Sequence, residues 1–489
     1  MRTLSGDHTE MPIVAALDNF SQKKPLRFHV PGHGGGQALH PAMRKANLPS
    51  WDVTELDGLD DLHNPSGVIE LAQKKAAGLY GARHTFFLIN GTTVGIQALI
   101  AAACCEPDSA IALPRNVHRS VLGGLVFSGA RPVFIEPQLV PGFDFAAGFT
   151  GAALKQVLQA VPEIAAVLAV HPCYYGVVGN LAEAAEICHR YNIPLLADEA
   201  HGTHLRFSPH LPPDALEQGA DATVQSVHKT GGALTQASWL HLAEGGRVDR
   251  KKVAGVLRLL QSSSPSYLLM ASLDAARQQL ALCGRASLDA ALDTALEAAR
   301  AIKAIPGLTV LGPEHLARPG AVDYDPTRLV VSFRELGLSG YEASRLLAEE
   351  YNIYVEMADI YNIVAVLPIG VNREEVGALV HALAGISGQV RGAALKGDSP
   401  PLTMPQLPPQ IMTPRLAWLA RKRQVRLETS AGLVSAEAVA VQPPGIAVIY
   451  PGEEITPAII EYLMVARDHG LQLHGAADPR LGTIEVVDC

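Results

Sequence analysis

Charged residues are scarce in this chain. Asp, Glu, Lys and Arg make up 18% of 489 residues while apolar types reach 48%, against about 25% charged in ordinary soluble domains. That balance excludes a disordered tail, a coiled coil or a collagen-like fibre. No apolar run approaches the ~18 residues needed to cross a bilayer, and Met1–Glu10 is too polar for a secretion signal, so the expected compartment is cytoplasmic. Cysteine is sparse: six residues, at 104, 105, 173, 188, 283 and 489, form no CxxC pair. In a chain long enough to bury a large core they are expected as reduced thiols, with no zinc site. Basic residues are outnumbered, 39 to 48, for a net charge of −9, the wrong sign for a partner of nucleic acid or of an anionic membrane. What remains is a core-rich enzyme of small molecules, in two to four domains at roughly 100–200 residues each.

From Thr85 to about Leu242 short apolar runs alternate with helical patterns. The runs are Phe86–Ile89, Ala110–Leu113, Pro132–Ile135, Ala165–Val170, Pro194–Ala197, Thr223–Val227 and Ser238–Leu242. Uninterrupted runs of this length suit strands covered on both faces, so an α/β domain with a mostly parallel sheet is expected. Helices are expected between them, including Val94–Cys105 and Leu181–Arg190, the latter capped by Asn180. After about residue 290 the pattern becomes α+β: helices at Asp293–Ala304, Tyr341–Tyr351 and Arg373–Ile386, and strands at Leu308–Leu311, Leu329–Phe333, Ile353–Met357 and Ile363–Leu367. The proline-dense stretch Gly397–Pro414 reads as an extended linker. The expected division is therefore an N-terminal segment 1–25, a major domain 26–290, a small α+β domain 291–396, the linker 397–414 and a C-terminal domain 415–489.

Four features fall near strand ends, the edge where open α/β sheets bind ligands. Asn90-Gly91-Thr92-Thr93-Val94-Gly95 leads from a strand into a helix, where free N–H groups, the helix dipole and two hydroxyls make a cup for phosphate. Alone, such a loop is as easily a plain helix cap. Asp198 in Asp198-Glu199-Ala200-His201-Gly202 can hold a proton on a cofactor nitrogen, or merely cap a helix. Lys229 in Ser226-Val227-His228-Lys229-Thr230 is a Schiff-base candidate, because burial lowers an amine's pKa; the bland alternative is a snorkelling surface lysine. His118 in Pro114-Arg115-Asn116-Val117-His118-Arg119 offers a flat ring at the start of a helix, and alone would be a cap or core residue. Together, cup, ring, carboxylate and lysine describe a pyridoxal phosphate site.

The same residues sit in long ordered motifs. Phe28-His29-Val30-Pro31-Gly32-His33-Gly34-Gly35-Gly36, Trp51-Asp52-Val53-Thr54-Glu55-Leu56-Asp57-Gly58-Leu59-Asp60-Asp61-Leu62, Asp198-Glu199-Ala200-His201-Gly202 and Gln225-Ser226-Val227-His228-Lys229-Thr230 resemble the Orn/Lys/Arg decarboxylase major-domain family. The resemblance runs from about residue 26 to the C-terminus. It implies the fold-type I, aspartate aminotransferase-like architecture, with pyridoxal 5'-phosphate as cofactor and a basic L-amino acid as substrate. It implies Lys229 as the Schiff-base residue, Asp198 on the pyridine nitrogen and His118 stacked on the ring. Thr92, Thr93, Ser226 and His228 would bind phosphate, and His201, where some relatives carry Trp, would pack beside the cofactor. Ser263 and Ser264, in Ser262-Ser263-Ser264-Pro265-Ser266, look like the segment lent to a neighbouring subunit's phosphate site, which implies a homodimer or higher homo-oligomer. With only about 25 residues ahead of the core, no wing domain or wing-driven decamer is expected.

Two departures stand out: the family's Tyr-Pro-Pro-Gly-Ile-Pro is here Gln442-Pro443-Pro444-Gly445-Ile446-Ala447, and the usual Thr before the His-Lys pair is Val227. The first is expected to alter the substrate pocket, the second to remove a hydroxyl beside Lys229. Glu55, Asp57 and Glu356 are the candidates for a distal cation, within the acidic segment Asp52–Asp61 and in Tyr354-Val355-Glu356-Met357; any one of them could equally be a solvated face or cap. Arginine, feeding polyamine synthesis, is the first expected substrate from family habit, then lysine, then ornithine. An aminotransferase on the same fold is the competing class, with Arg328 or Arg334 to take an α-carboxylate. The basic cluster Arg415, Arg421, Lys422, Arg423 and Arg426 is expected to be a solvated face. An inhibitory paralogue is disfavoured because Lys229, Asp198 and His118 are all present.

Overall fold

The computed structural model describes residues 20–316, 318–392, 405–442, 446–468 and 471–488. Expectations bearing on 1–19, on 397–404 of the linker, on Pro443-Pro444-Gly445 and on Cys489 lie outside the described residues. In chain order the strands are β1 (Leu26–Phe28), β2 (Ala82–Leu88), β3 (Ala110–Pro114), β4 (Arg131–Ile135), β5 (Ile164–Val170), β6 (Val177–Val178), β7 (Leu195–Asp198), β8 (Ala222–Gln225) and β9 (Ser238–Ala243). The next strands are β10 (Thr309–Val310), β11 (Asp323–Tyr324), β12 (Arg328–Ser332), β13 (Ile353–Val355), β14 (Met357–Ala358) and β15 (Asn362–Val366). The C-terminal strands are β16 (Lys422–Arg426), β17 (Val439–Gln442), β18 (Ile446–Ile449), β19 (Gln472–His474) and β20 (Thr483–Val487).

The main sheet has seven strands in the order β2-β9-β8-β7-β5-β3-β4. Only β9 runs antiparallel to its neighbours. Every residue of β3 is buried, as the uninterrupted apolar pattern requires of a strand covered on both faces. The helices Gly91–Ala103, Ser120–Ser128 and Arg250–Leu260 cover one face, and Gly151–Ala160 and Leu181–Arg190 the other. Asn180 does cap the latter, its side chain accepting the Glu183 N–H at 3.2 Å.

Three elements differ from the sequence pattern. The strand expected over Ile353–Met357 is broken at Glu356 into β13 and β14, which lie in different sheets. The strand expected over Thr223–Val227 stops at Gln225, and Val227–Thr230 forms one helical turn that aims Lys229 along the sheet edge. The helix expected to open at Asp293 is instead one 37-residue helix, Tyr267–Lys303, capped by Ser266. No proline interrupts it, and its one glycine, Gly284, packs against Phe207. Its C-terminal half, with helices Gly340–Tyr351 and Arg373–Gly392, covers the antiparallel sheet β10-β12-β15-β14.

β1 pairs in parallel with β13, Leu26 opposite Ile353, so the motif after β1 is held between the small domain and the end of β8. There Gly32 donates its N–H to the His228 carbonyl at 2.9 Å. A Cβ at position 32 would stand 2.1 Å from the Lys229 carbonyl oxygen, so only glycine permits this approach. The C-terminal strands and the helix Pro457–Asp468 enclose their own apolar cluster. Among the described residues the five cysteines are unpaired, and no helix is long and apolar enough to cross a membrane.

Candidate active site

A cleft with about 650 Å³ of empty space, part of it open to solvent, lies at the carboxyl edge of the main sheet, and Thr92, His118, Asp198, His201 and Lys229 all line it. Asp198 ends β7 and is buried, its Oδ1 accepting the Ala200 N–H at 3.1 Å. Burial pushes its carboxyl up, opposed by the Lys229 charge and that N–H, so a cationic N–H placed opposite would restore the ionised form. Lys229 is half-buried, and its amine is lowered to about 8; burial is the main cause and Arg328 adds to it, while Asp198 and Glu356 oppose. This is the environment a nucleophilic lysine needs.

Lys229 Nζ lies 2.9 Å from His201 Nε2. The His201 ring, whose pKa is driven well down by burial and by the Lys229 and Arg328 charges, contacts Arg328 Nη2 through Nδ1 at 2.6 Å. His118 faces the cavity with Nδ1 accepting the Ser120 N–H at 3.2 Å; enclosure, Lys229 and Arg119 hold its pKa below the usual range. At the cup, Gly91 takes a left-handed φ of 73°. The helix it opens has no side-chain cap; the Gly91 N–H is taken by the Gln236 carbonyl at 3.0 Å, and the N–H groups that follow it are left for an anion. Thr92 Oγ1 and Ser226 Oγ meet there at 3.0 Å. His228 Nδ1 donates to the Ala237 carbonyl at 3.1 Å, leaving Nε2 as its remaining atom.

Other expected residues stand differently. Thr93 is exposed beside the cup. Ser262, Ser263 and Ser264 are exposed too, with the Ser262 N–H donating to Asn90 Oδ1 at 3.3 Å, next to the cup of their own chain. Glu356 lies against the wall: Tyr174 OH donates to its Oε1 at 2.6 Å and the Val30 N–H to its Oε2 at 2.7 Å. Glu55 and Asp57 are exposed on a loop and do not line the cavity of their own chain. Within that acidic segment Asp60 is unavailable to a cation: its carboxylate accepts the N–H groups of Asp61, Ser66, Gly67, Ile69 and Glu70, ahead of and into the helix Val68–Tyr80. Val227 is fully buried in the core with Trp239, so the departure at that position faces away from the cavity.

Sequence reasoning missed three contributors and pointed to a fourth only as part of the segment Gln442–Ala447. Tyr174 and Tyr175, just beyond the end of β5, line the cavity; their place after a parallel strand was a usable signal. Ile446 brings the C-terminal domain to the same wall, inside the segment whose sequence departs from the family's. Arg115 fastens it there: Nη1 and Nη2 reach the Glu453 carboxylate at 2.6 and 2.9 Å, while Nε and Nη2 donate to the Ala447 and Val448 carbonyls.

A match to the Orn/Lys/Arg decarboxylase major domain covers residues 11–375, and one to the C-terminal domain of the same family covers 402–480. The chain belongs to the Orn/Lys/Arg decarboxylase family. It is 38% identical over 481 residues to an arginine decarboxylase of Bacillus anthracis, covering 98% of this chain and 97% of that one. An arginine decarboxylase of Halalkalibacterium halodurans is 39% identical over 481 residues, covering 98% of each. Among solved structures, the constitutive lysine decarboxylase of Escherichia coli matches with a TM-score of 0.75 at 19% identity, over 98% of this chain and 82% of that one; this likeness speaks to the α/β fold. The protein is a decarboxylase of this family.

Proposed function

We propose that the protein decarboxylates L-arginine to agmatine and carbon dioxide with pyridoxal 5'-phosphate. The observation that carries this reading is the convergence of the Lys229 amine, the Asp198 carboxyl and the His118 ring on one cavity. The donor set fits the cofactor: Lys229 would attach it, Asp198 would pair with its ring nitrogen, and His118 would stack on the ring. Thr92, Ser226 and His228, with the N-terminus of Gly91–Ala103, would take the phosphate, and Thr93 would stand at the rim of that cup. When bound, pyridoxal phosphate supplies an electron sink for the charge left on Cα as carbon dioxide departs. The apolar walls at Val170, Ala146 and Ile446 keep water from the departing carboxylate, and the hydrogen-bonded Lys229–His201 pair can hold a proton.

The identity with two arginine decarboxylases over nearly their whole length supports arginine over lysine or ornithine, and with it a place in polyamine synthesis. The aminotransferase alternative loses both of its candidate anchors. Arg328 is committed to His201, and Arg334 is bound to Asp144 and stacked over Tyr361. The reading further includes a cytoplasmic homodimer in which Ser263 and Ser264 serve the neighbouring site, the domain division 26–290, 291–396 and 415–489, and Glu356, Glu55 and Asp57 as acceptors for the guanidinium. The purified protein, given pyridoxal phosphate and each of the three amino acids in turn, is expected to release agmatine from arginine fastest, identified by mass. Cadaverine or putrescine as the main product would move the substrate, and a keto acid in place of an amine would overturn the reaction.

A further inference from the structure

The geometry points to Arg328 as a positioning residue that acts through His201 to hold Lys229 as a free amine, ready to capture a carbonyl carbon. The inference rests on the reading of Lys229 as the attachment residue. Arg328 opens β12 in the small domain and is 1% exposed, whereas His201 and Lys229 belong to the major domain. A guanidinium has only donors. With Nη2 at 2.6 Å, His201 Nδ1 must accept, so the neutral ring carries its single proton on Nε2. That N–H faces Lys229 Nζ at 2.9 Å, and the amine must accept in turn. An ammonium there has no lone pair and would set proton against proton.

A plain buried ion pair does not describe Arg328. The nearest carboxylate, Asp325, is 4.0 Å from its Nε and is already taken by His204 Nε2 at 2.8 Å and by the Thr327 hydroxyl at 2.7 Å. Arg328 Nε has no hydrogen-bond partner. Its other anchor is the Tyr174 carbonyl, 3.3 Å from Nη1. The short bond to His201 is thus its strongest commitment. The charged and titratable groups that face Lys229 are Asp198, His201 and Arg328, Glu356 from the small domain, His118 across the cavity and His228 in its own helical turn. The two carboxylates favour ammonium; Arg328, directly and through the ring, favours amine.

The test is competitive acetylation of Lys229 by acetic anhydride in the cofactor-free full chain as a function of pH, read by peptide mass spectrometry. Only the amine reacts. In the wild type the rate is expected to rise with pH and reach half its plateau near pH 8, as the lowered amine pKa requires. In Arg328→Met the ring can turn its proton to Nδ1 and accept from an ammonium, so the midpoint should rise by at least one unit and the rate at pH 7 fall about tenfold. Arg328→Lys retains a donor and should recover most of the loss. An Arg328→Met midpoint equal to that of the wild type overturns the inference. Nitrogen NMR of 15N-histidine wild-type protein needs no variant: above pH 8, where the Lys229 amine is free, a proton on His201 Nε2 alone supports it, and one on Nδ1 overturns it. A wild type whose Lys229 acetylates with this profile but takes up no pyridoxal phosphate would sink the cofactor reading while leaving the action of Arg328 intact.

Discussion

Two buried arginines, Arg115 and Arg328, are satisfied in opposite ways. Arg115 meets the Glu453 carboxylate with two nitrogens, donates to two backbone carbonyls and lies 4.5 and 4.6 Å from the Phe134 and Tyr450 ring centres. It is fully enclosed by compensating groups and joins the C-terminal domain to the loop that carries His118. Arg328 is as deeply buried, yet its carboxylate stands at 4.0 Å and its shortest bond goes to a neutral ring. A buried charge is costly unless its partners satisfy it. Complete satisfaction makes Arg115 a rivet between domains; the imperfect set around Arg328 leaves its field directed at the His201–Lys229 pair.

Variants sharpen this contrast. Lys229→Ala, which removes the group to which the Arg328 chain leads, should reduce carbon dioxide release to background and abolish the yellow colour expected of cofactor bound at that lysine, measured by absorbance and gas release. Persistent turnover would break the chain at its end. Asp198→Asn should fold and bind pyridoxal phosphate but lose several kcal/mol of transition-state stabilisation, about 10²–10³-fold in kcat, by comparison with other preorganised electrostatic groups. An unchanged kcat would remove Asp198 from that role.

Glu453→Gln tests the rivet. Leaving Arg115 without its anion should cost about 3–5 kcal/mol in denaturant unfolding, and the paired change Arg115→Met with Glu453→Leu should recover part of it. A loss confined to activity, with stability intact, would make the two arginines alike. The smallest effect is expected at Glu356→Gln. Each carboxylate oxygen already accepts one hydrogen bond and keeps room for another, so KM for arginine should rise about tenfold with kcat and the cofactor spectrum little changed. A kcat effect without a KM effect would place Glu356 with the reacting atoms.

Much of this was legible along the chain for identifiable reasons. Asn180 ahead of Leu181–Arg190 could be read as a cap, and its side chain does accept the Glu183 N–H. The buried strands announced themselves because a strand covered on both faces has no polar side to display. Lys229, Asp198 and His118 could be paired from their shared position at strand ends. The loop acids were harder, because a charged pair such as Glu55 and Asp57 looks alike in sequence whether it faces solvent or a partner. Asp60, in the same run, turned out to be a helix anchor through backbone bonds that no residue type reveals.

The sequence by itself determined the layered sheet and the family, because hydrophobic period and motif order are local properties of the chain. Tertiary structure alone decided which arginine serves which purpose. Arg115 and Glu453 are 338 positions apart and His201 and Arg328 127 apart, and a hydrogen bond depends on angstroms of separation that no spacing along the chain specifies. The tautomer of His201, and through it the state of Lys229, follows from a contact between the start of β12 and the turn after β7 that only their packing in the fold creates.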